Sequence, residues 1–406
     1  MASYQPDKIF APDAPIRALA ERGATPFYLY DEAGIRRSAQ RLLKSFAFCP
    51  NYENYVPIRE NPNPAVLALL KMCGCGVCAS NLTELQLAAR CEFQGTKLLY
   101  EPMVKDPQAA ALACQLQARW LINSPALLPD VPLKRVILRY HLSSFDIPNL
   151  SRRMNRSRNG MTKEQLLQTA ASLHRSGTEE IGLATQSAAY SLQAGLLARR
   201  AKVLRDLAES VTRETGVPVG AIYLGDGPGL PYRPKLACPS LEQEAQALEP
   251  VISSWEPQPT VLTGICKQLL EPHGLMVVKV LELRRFDQSF LVLDGGFNQY
   301  LRPALKQAFR HISVLGQSQV EGRRRYVLSG PTFDERDRLS EGRMLPPVLP
   351  GDFCVVHDVG CGGRAMALLY ASQPVAAEYL YTTDGEIRCI GAGRSSREVL
   401  EFLYEV

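Results

Sequence analysis

The chain has 406 residues, of which 46% are hydrophobic and 21% charged, so disorder is excluded as its main state and two or three domains are expected. Its 46 Lys and Arg against 41 Asp and Glu leave a net charge of only +5, too weak to indicate nucleic-acid binding. No apolar run approaches the length of a transmembrane helix, and the amino-terminal residues lack the apolar segment of a secretory signal. We therefore expect a soluble, cytoplasmic protein with neither a membrane nor a nucleic-acid partner.

Taken in chain order, the first pattern is a strand at 27–30, followed by an amphipathic helix whose apolar residues recur at spacings of three and four. Strand-like runs and helical patterns then alternate at the spacing of βα units, which predicts a closed (β/α)8 barrel over residues 31–274. Its eight predicted strands are Tyr52–Ile58, Cys75–Ala79, Lys97–Tyr100, Trp120–Asn123, Arg135–Tyr140, Glu180–Ala184, Ala221–Leu224 and Thr260–Thr263. The predicted helices include Pro64–Met72, Leu82–Cys91, Pro107–Gln117, Lys163–His174, Ala188–Arg213 and Leu241–Ser254.

Beyond Gly274 the pattern changes to short β-like runs separated by Gly, Pro and Asp turns. The predicted strands are Met276–Leu283, Ser289–Leu293, Arg325–Ser329, Phe353–His357, Val375–Leu380 and Ile387–Ile390. We predict an all-β domain over residues 275–406, which residues 1–30 join as a strand segment. A long irregular stretch, Leu142–Gly160, is either a solvated loop or an anion-attracting lid over the barrel mouth. It carries four arginines, Arg152, Arg153, Arg156 and Arg158.

Eleven cysteines in a chain without an export signal favour reduced thiols over a disulfide framework. Cys73, Cys75 and Cys78 form a C-x-C-x-x-C cluster whose thiolates would suit Zn²⁺, Cu(I) or an iron–sulfur cluster. Two of the three fall within a predicted strand and no fourth ligand is evident. We therefore favour core packing for these cysteines and treat them as weak metal candidates.

Several segments together resemble the PLP-dependent amino-acid decarboxylases of the alanine racemase fold, most closely diaminopimelate decarboxylase and its relatives. They are TPFYLYD, NPNPAVLALL, CASNLTELQLA, LGDGPGLPY, DGGFNQYLRPAL, LSGPT and PGDFCVVHDVG, which span nearly the whole chain. The resemblance implies fold type III, with an α/β barrel followed by a β domain, and a head-to-tail homodimer with shared sites.

The resemblance also implies a lysine just before the Asn-Pro-Asn-Pro segment that forms a Schiff base with PLP. Here the segment reads VPIRENPNP, so Arg59 stands at the lysine position and Asn61 opens the segment. A guanidinium stays protonated and delocalised and does not form an imine under physiological conditions. Covalent PLP is therefore not expected at this position; Lys267 is the substitute lysine to inspect.

A phosphate loop of three consecutive glycines in the family corresponds here to Gly225-Asp226-Gly227, followed by Pro228. Such loops bind phosphate through closely approached backbone N–H groups. Asp226 would set a carboxylate beside the anion and Pro228 lacks a donor. We expect weakened phosphate binding, unless Asp226 points away and the loop still binds an anion.

Further positions that the resemblance assigns to chemistry also carry other residues. The family's Glu-Pro-Gly-Arg corresponds to Leu262-Thr263-Gly264-Ile265, so an apolar residue replaces the glutamate that faces the pyridine nitrogen. The histidine that stacks on the cofactor, the general-acid cysteine and the active-site tyrosine align with Gln186, Phe333 and Gly362.

New chemistry has two candidate locations. His357 and Cys361 lie four residues apart beside the tyrosine position. They form either a reactive thiol, a metal or haem site, or an ordinary turn with a buried Cys361 and a surface-facing His357. Arginines near the barrel mouth would suit a carboxylate or phosphate ligand. They are Arg59, Arg139, Arg364 and those of the 142–160 stretch. Asp337 would face an ammonium group of the same ligand.

We therefore predict a divergent homologue that does not use PLP through a Schiff base. It would bind or convert another small anionic or amino-acid-like ligand, or act as a pseudoenzyme partner. Two alternatives stay open: an active PLP-dependent decarboxylase with unusual cofactor support, and a metal- or haem-dependent enzyme on the same scaffold.

Overall fold

The computed structural model describes residues 2–3, 10–142, 157–185, 194–233, 236–306, 308–317, 320 and 322–404. The chain divides into two compact units. The first consists mainly of Ser38–Leu230 and Ala237–Gln268, and the second of Ser3–Arg37, Pro231–Leu236 and Leu269–Val406. The sequence prediction did not anticipate that Pro231–Leu236 belongs with the second unit.

A closed barrel of eight parallel strands forms the centre of the first unit. Strands adjacent in the chain pair side by side, and the last strand closes the barrel against the first, with Val261 opposite Tyr52. The strands are Tyr52–Pro57, Gly76–Ala79, Leu98–Tyr100, Arg119–Ile122, Arg135–Arg139, Glu180–Ala184, Ala221–Tyr223 and Thr260–Thr263. The predicted barrel is confirmed, with every strand within a residue or two of its expected position.

Side chains fill the interior of this barrel, because alternate residues of each strand point inward. One fully packed layer contains Tyr55, Cys78, Leu99, Leu121, Ile137, Ala184, Ala221, Tyr223 and Leu262, none of them more than 4% exposed. A filled barrel leaves chemistry to the carboxyl ends of the strands and to the loops that follow them.

Helices follow the strands and begin at side chains that cap their first turns. Asn63, Asn81, Asp106, Thr162 and Ser240 each accept a hydrogen bond from an N–H group of the first turn. The helices are Glu32–Ser45, Pro64–Met72, Leu82–Arg90, Pro107–Gln115, Lys163–Arg175, Leu196–Thr215, Leu241–Ser253 and Lys267–Leu270. In the part of the chain that the structure describes, none of the helices has the length and apolar character needed to cross a membrane.

The helix predicted over Ala188–Arg213 is corrected to Leu196–Thr215. Gly195 precedes it in a left-handed conformation, which a glycine adopts without steric cost. The first part of the predicted range, up to residue 193, lies outside the described residues.

The second unit is built on β-strands. Phe27–Asp31 pairs antiparallel with Gly274–Arg285 and parallel with Ala377–Tyr381. The other strands are Ser289–Leu293, Ile312–Val314, Arg324–Ser329, Arg338–Leu345, Phe353–Val356 and Ile387–Gly391. Short helices accompany them at Asp13–Leu19, Arg302–Lys306 and Ser396–Tyr404.

Two strands of this unit were missing from the sequence prediction. Ile312–Val314 has only three residues, too few for a periodic pattern to be recognised. Arg338–Leu345 is polar and contains Gly342, which weakens its strand signal, and it pairs only with Arg324–Ser329 within the described sheet.

Candidate functional site

The first barrel strand leads into a short turn, Ile58–Glu60, that carries Arg59. The Arg59 residue is exposed at the carboxyl end of this strand. Asn61 is buried, and its Oδ1 accepts a hydrogen bond from the Asn63 N–H at 3.2 Å, which fixes the backbone before the next helix. The position that the resemblance assigns to a lysine thus presents a guanidinium at the barrel mouth.

A buried ion pair lies at the ends of the third and fifth barrel strands. Glu101 directly follows Leu98–Tyr100, and its Oε1 accepts a hydrogen bond from Arg139 Nη1 at 2.6 Å. The side chains of the two partners are only 10% and 6% exposed. Asn123, at the end of the fourth strand, donates from Nδ2 to the same oxygen at 3.3 Å. Arg139 was predicted as a ligand-binding residue, and the structure pairs it inside the protein.

Sequence reasoning missed Glu101 and Asn123. Both stand directly after a predicted strand or at its end, where barrel proteins carry their functional side chains. Inspecting the carboxyl end of all eight predicted strands would have found the two residues.

The charged side chains at this end of the barrel shift one another's pKa values toward the ionised forms. Burial raises the pKa of Glu101, but Arg139 and Arg59 outweigh it, so the pKa lies below its usual value. Desolvation lowers the pKa of Arg59, but Cys78, Glu101 and Tyr223 outweigh it, so that pKa lies above its usual value. Burial raises the pKa of the Cys78 thiol, and Glu101 adds to the effect. The result is a charged carboxylate between two guanidinium groups, beside a protonated thiol.

The loop after the seventh strand contains Gly225, in a left-handed conformation with φ +73°. Its carbonyl oxygen accepts a hydrogen bond from the Gly264 N–H at 2.9 Å. A Cβ added at Gly227 would lie 2.9 Å from Cγ1 of Ile265, so Ile265 packs against this glycine. Asp226 between the two glycines is half-buried.

The side chain of Asn54 forms hydrogen bonds with both backbone groups of Ile265. Its Oδ1 accepts a hydrogen bond from the Ile265 N–H at 2.8 Å, and its Nδ2 donates to the Ile265 carbonyl at 3.0 Å. The N–H groups of Gly264 and Ile265 are therefore both committed to partners inside the protein. Gly264 itself lies against Tyr223, because a Cβ there would be 2.3 Å from the tyrosine hydroxyl oxygen.

A buried arginine supports the same loop from a helix. Arg200, on Leu196–Thr215, donates from Nη1 to the carbonyl oxygens of Leu224 and Asp226 at 2.6 and 2.8 Å. It is fully buried, and burial lowers its pKa to about 10. No motif in the sequence indicated this residue, because a single arginine in an amphipathic helix is ordinarily on the solvated face.

In the second unit, Asp337 joins two loops. Its Oδ1 accepts from the Phe297 N–H at 2.7 Å, and its Oδ2 accepts from the N–H and hydroxyl of Thr332 at 3.0 and 2.7 Å. Asp337 is 2% exposed, and its oxygens lie where a Cβ on Gly296 or Gly330 would stand. That Asp337 faces an ammonium group stays a prediction. Phe333, predicted as a ligand-binding residue, directly follows Thr332 and is fully exposed.

The space beside Gly362 is taken by an arginine of the same unit. A Cβ at Gly362 would lie 2.2 Å from Nη2 of Arg302, which is buried. With Arg302 in this position, no side chain fits at Gly362. Cys361 is fully buried, as expected of an ordinary turn, but the expectation of a surface-facing His357 is wrong. His357 is buried, because its Nε2 lies 2.8 Å from the buried hydroxyl of Ser313.

Metal candidates do not come together in the part of the chain that the structure describes. No group of three or more His, Cys, Asp and Glu side chains there is arranged to hold a metal ion. Cys78 points into the barrel layer and contacts Glu101, whereas Cys73 ends the helix Pro64–Met72. Burial raises the pKa of Cys75 to about 12, which keeps it a thiol.

Other predicted residues have the following positions. Gln186, Arg152, Arg153 and Arg156 lie outside the described residues. Arg158 is exposed, and Arg364 donates from Nε to the Ala376 carbonyl at 3.1 Å. Lys267 is half-buried at the start of a short helix after the last barrel strand.

Comparison with known proteins agrees with this architecture. Residues 27–360 match the family model described as "Pyridoxal-dependent decarboxylase, C-terminal sheet domain". The chain belongs to this family. Protein TabA from Pseudomonas amygdali pv. tabaci is 26% identical over 369 residues, which cover 89% of this chain and 87% of that protein. Diaminopimelate decarboxylase from Archaeoglobus fulgidus is 22% identical over 388 residues, covering 91% and 90%.

Solved structures show the same fold. The crystal structure of diaminopimelate decarboxylase from Helicobacter pylori complexed with L-lysine superposes with a TM-score of 0.85 at 20% identity, covering 96% of this chain and 99% of that one. The structure of SrLDC in complex with PLP and cadaverine gives a TM-score of 0.80 at 18% identity, covering 94% and 95%. The predicted alanine racemase-like fold and the family resemblance are confirmed.

PLP, the cofactor of this family, requires a primary amine for covalent attachment, free N–H groups for its phosphate and support for its ring nitrogen. Two positions at the barrel mouth do not fit the first and third of these requirements. Arg59 offers a guanidinium where the resemblance places the amine, and Leu262, where it places the glutamate, lies in the apolar layer.

Proposed function

We propose that this chain is a decarboxylase-family protein that does not use a Schiff base to PLP and that binds a small anionic or amino-acid-like molecule at its barrel mouth. The observation that carries the proposal is the exposed Arg59 beside the buried Glu101–Arg139 pair. A guanidinium keeps its charge and makes paired hydrogen bonds to a carboxylate.

The surroundings of Arg59 support this reading. Glu101 is satisfied by Arg139 and Asn123, so it leaves the Arg59 guanidinium able to receive an external anion. An arginine at a strand end of a barrel is also positioned where ligands of this fold class bind. The ligand class is therefore a carboxylate, with an amino acid as the simplest example.

The backbone near the glycine loop supports the loss of cofactor attachment. The N–H groups of Gly264 and Ile265, which lie against this loop, donate to Gly225 and Asn54 and are not free for an external anion. Asp226 adds a carboxylate to the loop, which repels an anion nearby.

The alternative function is an active PLP-dependent decarboxylase. A structural relative is known in complex with PLP and cadaverine, and Lys267 is a lysine after the last barrel strand. A metal- or haem-dependent enzyme and a pseudoenzyme that engages a partner protein are the remaining alternatives.

The proposal includes a homodimer, as the family resemblance implies, and a cytoplasmic location. All eleven cysteines are free in the structure, which fits a reducing compartment. Light scattering of the purified protein tests the dimer.

Calorimetric titration of the purified protein with L-amino acids and small dicarboxylates tests the binding proposal. We expect at least one carboxylate to bind, and Arg59→Gln to weaken it at least tenfold. Arg90→Gln is the matched control, because Arg90 is exposed on the helix Leu82–Arg90. Binding that ignores Arg59→Gln, or no carboxylate binding at all, would contradict the proposal.

A further inference from the structure

A pocket of about 270 Å³ lies in the barrel unit, between the helix Pro107–Gln115 and the connection that follows the fourth barrel strand. That strand, Arg119–Ile122, is followed by only a short turn, Pro125–Leu127, before the next strand begins at Arg135. All of residues 123–134 are described, and none of them is in an α-helix. The connection therefore places no helix beside Pro107–Gln115, as a regular βα unit would, which accounts for the unfilled space.

Small and apolar side chains form most of the pocket wall. On the helix, Ala110, Ala111 and Cys114 line the pocket and are too short to fill it. Val104 and Val131 also line it, although they are 69% and 49% exposed. A ligand that covers these two valines removes apolar surface from water, which favours binding.

Two buried aromatic rings belong to the same wall. The ring centroids of Tyr100 and Trp120 are 4.9 Å apart and their planes meet at 80°, which is an edge-to-face arrangement. A further aromatic ring gains from stacking on such rings or from meeting their edges. Pro102, Pro107 and Pro129 line the pocket as well, and the fixed φ of proline restricts how far the wall can rearrange. The pocket is thus shaped in advance for a flat, apolar molecule.

The charged residues of the wall favour a neutral ligand. Lys105 Nζ lies 3.5 Å from Asp130 Oδ2, and Asp106 accepts hydrogen bonds from two N–H groups in the first turn of the helix. A carboxylate ligand would meet one cation and two carboxylates. An ammonium ligand would have to compete with Lys105 or with the helix N–H groups. A neutral molecule disturbs neither arrangement.

The volume of the pocket limits the size of this ligand. A dry apolar cavity of about 150 Å³ binds benzene, and pockets for drug-sized ligands begin at about 300 Å³. A pocket of about 270 Å³ lies between these two cases. It has room for a molecule of one ring or of two fused rings.

We propose that this pocket is a second ligand site, which binds a neutral aromatic molecule of one or two rings. The site is separate from the proposed carboxylate site, because Arg59 is not among the residues that line the pocket. Either proposal can therefore fail without the other.

Calorimetric titration of the full-length protein with indole tests the site. We expect indole to bind the wild-type protein, and Ala110→Leu, which fills part of the pocket, to weaken it at least tenfold. Ala111→Leu changes an exposed position in the same wall and is the second variant, with a several-fold loss expected. Ala89→Leu is the matched control, because Ala89 is a half-buried alanine on another barrel helix, Leu82–Arg90. Melting curves of each variant confirm that it is folded.

Thiol labelling shows where indole binds and whether charge matters. Cys114 lines the pocket and is half-buried, whereas Cys389 is exposed in the β unit. Mass spectrometry of peptides after brief reaction with N-ethylmaleimide compares the two thiols. We expect saturating indole to slow the labelling of Cys114 at least fivefold and to leave Cys389 unchanged. Indole-2-carboxylate at the same concentration should protect neither thiol.

Three results would overturn the inference. The first is no binding of indole, and the second is binding that Ala110→Leu and Ala111→Leu weaken no more than Ala89→Leu does. The third is equal protection of Cys114 by indole and indole-2-carboxylate, which would contradict the neutral ligand class. None of these results affects the titration of carboxylates at Arg59, so the proposed function is judged separately.

Discussion

The loops of the β unit and the mouth of the barrel unit differ in how their polar residues are used. In the β unit, Asp337 satisfies donors from Phe297 and Thr332 and holds two family motifs together. At the barrel mouth, Arg59 is exposed and the Asn123 oxygen lacks a donor among the described residues. The hydrogen bonds of the first region are made within the chain, whereas we propose that the second region binds a ligand.

This difference explains why the resemblance extends to the structural motifs but not to the residues that it assigns to chemistry. Motifs such as DGGF and SGPT are needed for folding, because Asp337 leaves no room for a side chain at Gly296 or Gly330. A family motif therefore indicates the fold more securely than the reaction.

The largest effect should come from breaking the barrel ion pair. Arg139→Met leaves the Glu101 carboxylate buried without its cation, and should lower the free energy of unfolding by about 3–5 kcal/mol. Urea denaturation measures it. Lys105→Met, which removes an exposed pair with Asp130, should cost at most about 1 kcal/mol. Equal losses in the two variants would mean that the Arg139 pair is effectively solvated.

Removing the Asp337 carboxylate, which accepts hydrogen bonds from Phe297 and Thr332, should have the next largest effect on the free energy of unfolding. Asp337→Ala leaves three donors without a partner in a buried position and should destabilise the protein by about 3 kcal/mol in the same assay. Asp384→Ala is the control, because Asp384 is on the surface. If Asp337→Ala is as stable as Asp384→Ala, the structural explanation for these motifs is wrong.

A smaller effect is expected at Gly362. Gly362→Ala must displace Arg302 and should cost about 2 kcal/mol more than Gly95→Ala. The two glycines have almost the same backbone angle, φ +58° and +59°, and nothing lies within 4 Å of a Cβ at Gly95. Thermal unfolding of both variants isolates the contact with Arg302. No difference between them would show that Arg302 moves freely.

The smallest effect concerns pH. Arg139 and Arg59 hold the pKa of Glu101 below its ordinary value of 4.5 despite its burial. A lowered pKa in the folded state gives stability that is present above pH 4.5 and is lost as the pH falls through the folded-state value. The stability advantage of the wild type over Glu101→Gln should therefore shrink between pH 6 and pH 3 in urea denaturation. An advantage that is constant over this range would contradict the assigned charges.

The sequence predicted the barrel well because each strand and each capped helix has a local signal. Tyr52–Pro57 is a β-rich run, and Asn63 and Ser240 stand directly before apolar helical patterns. The strand Arg338–Leu345 was missed because its pairing depends on distant residues and its own residues are polar.

The site was predicted less completely. Arg59 was found through comparison with a known motif, whereas Glu101, Asn123 and Arg200 have no motif. Their importance arises from burial and from partners far away in the chain, as in the contact between Arg200 and Asp226. Such pairings are set by tertiary structure and are not encoded in local spacing.

The central claim is that the barrel mouth no longer forms an imine with PLP because Arg59 replaces the amine. The most direct measurement is the absorbance spectrum and intact mass of the purified protein with added PLP, before and after borohydride. We predict no trapped adduct in the wild type, a trapped adduct in Arg59→Lys, and none in the surface control Arg90→Lys. A borohydride-stable adduct mapped to Lys267 or another lysine of the wild type would contradict the account.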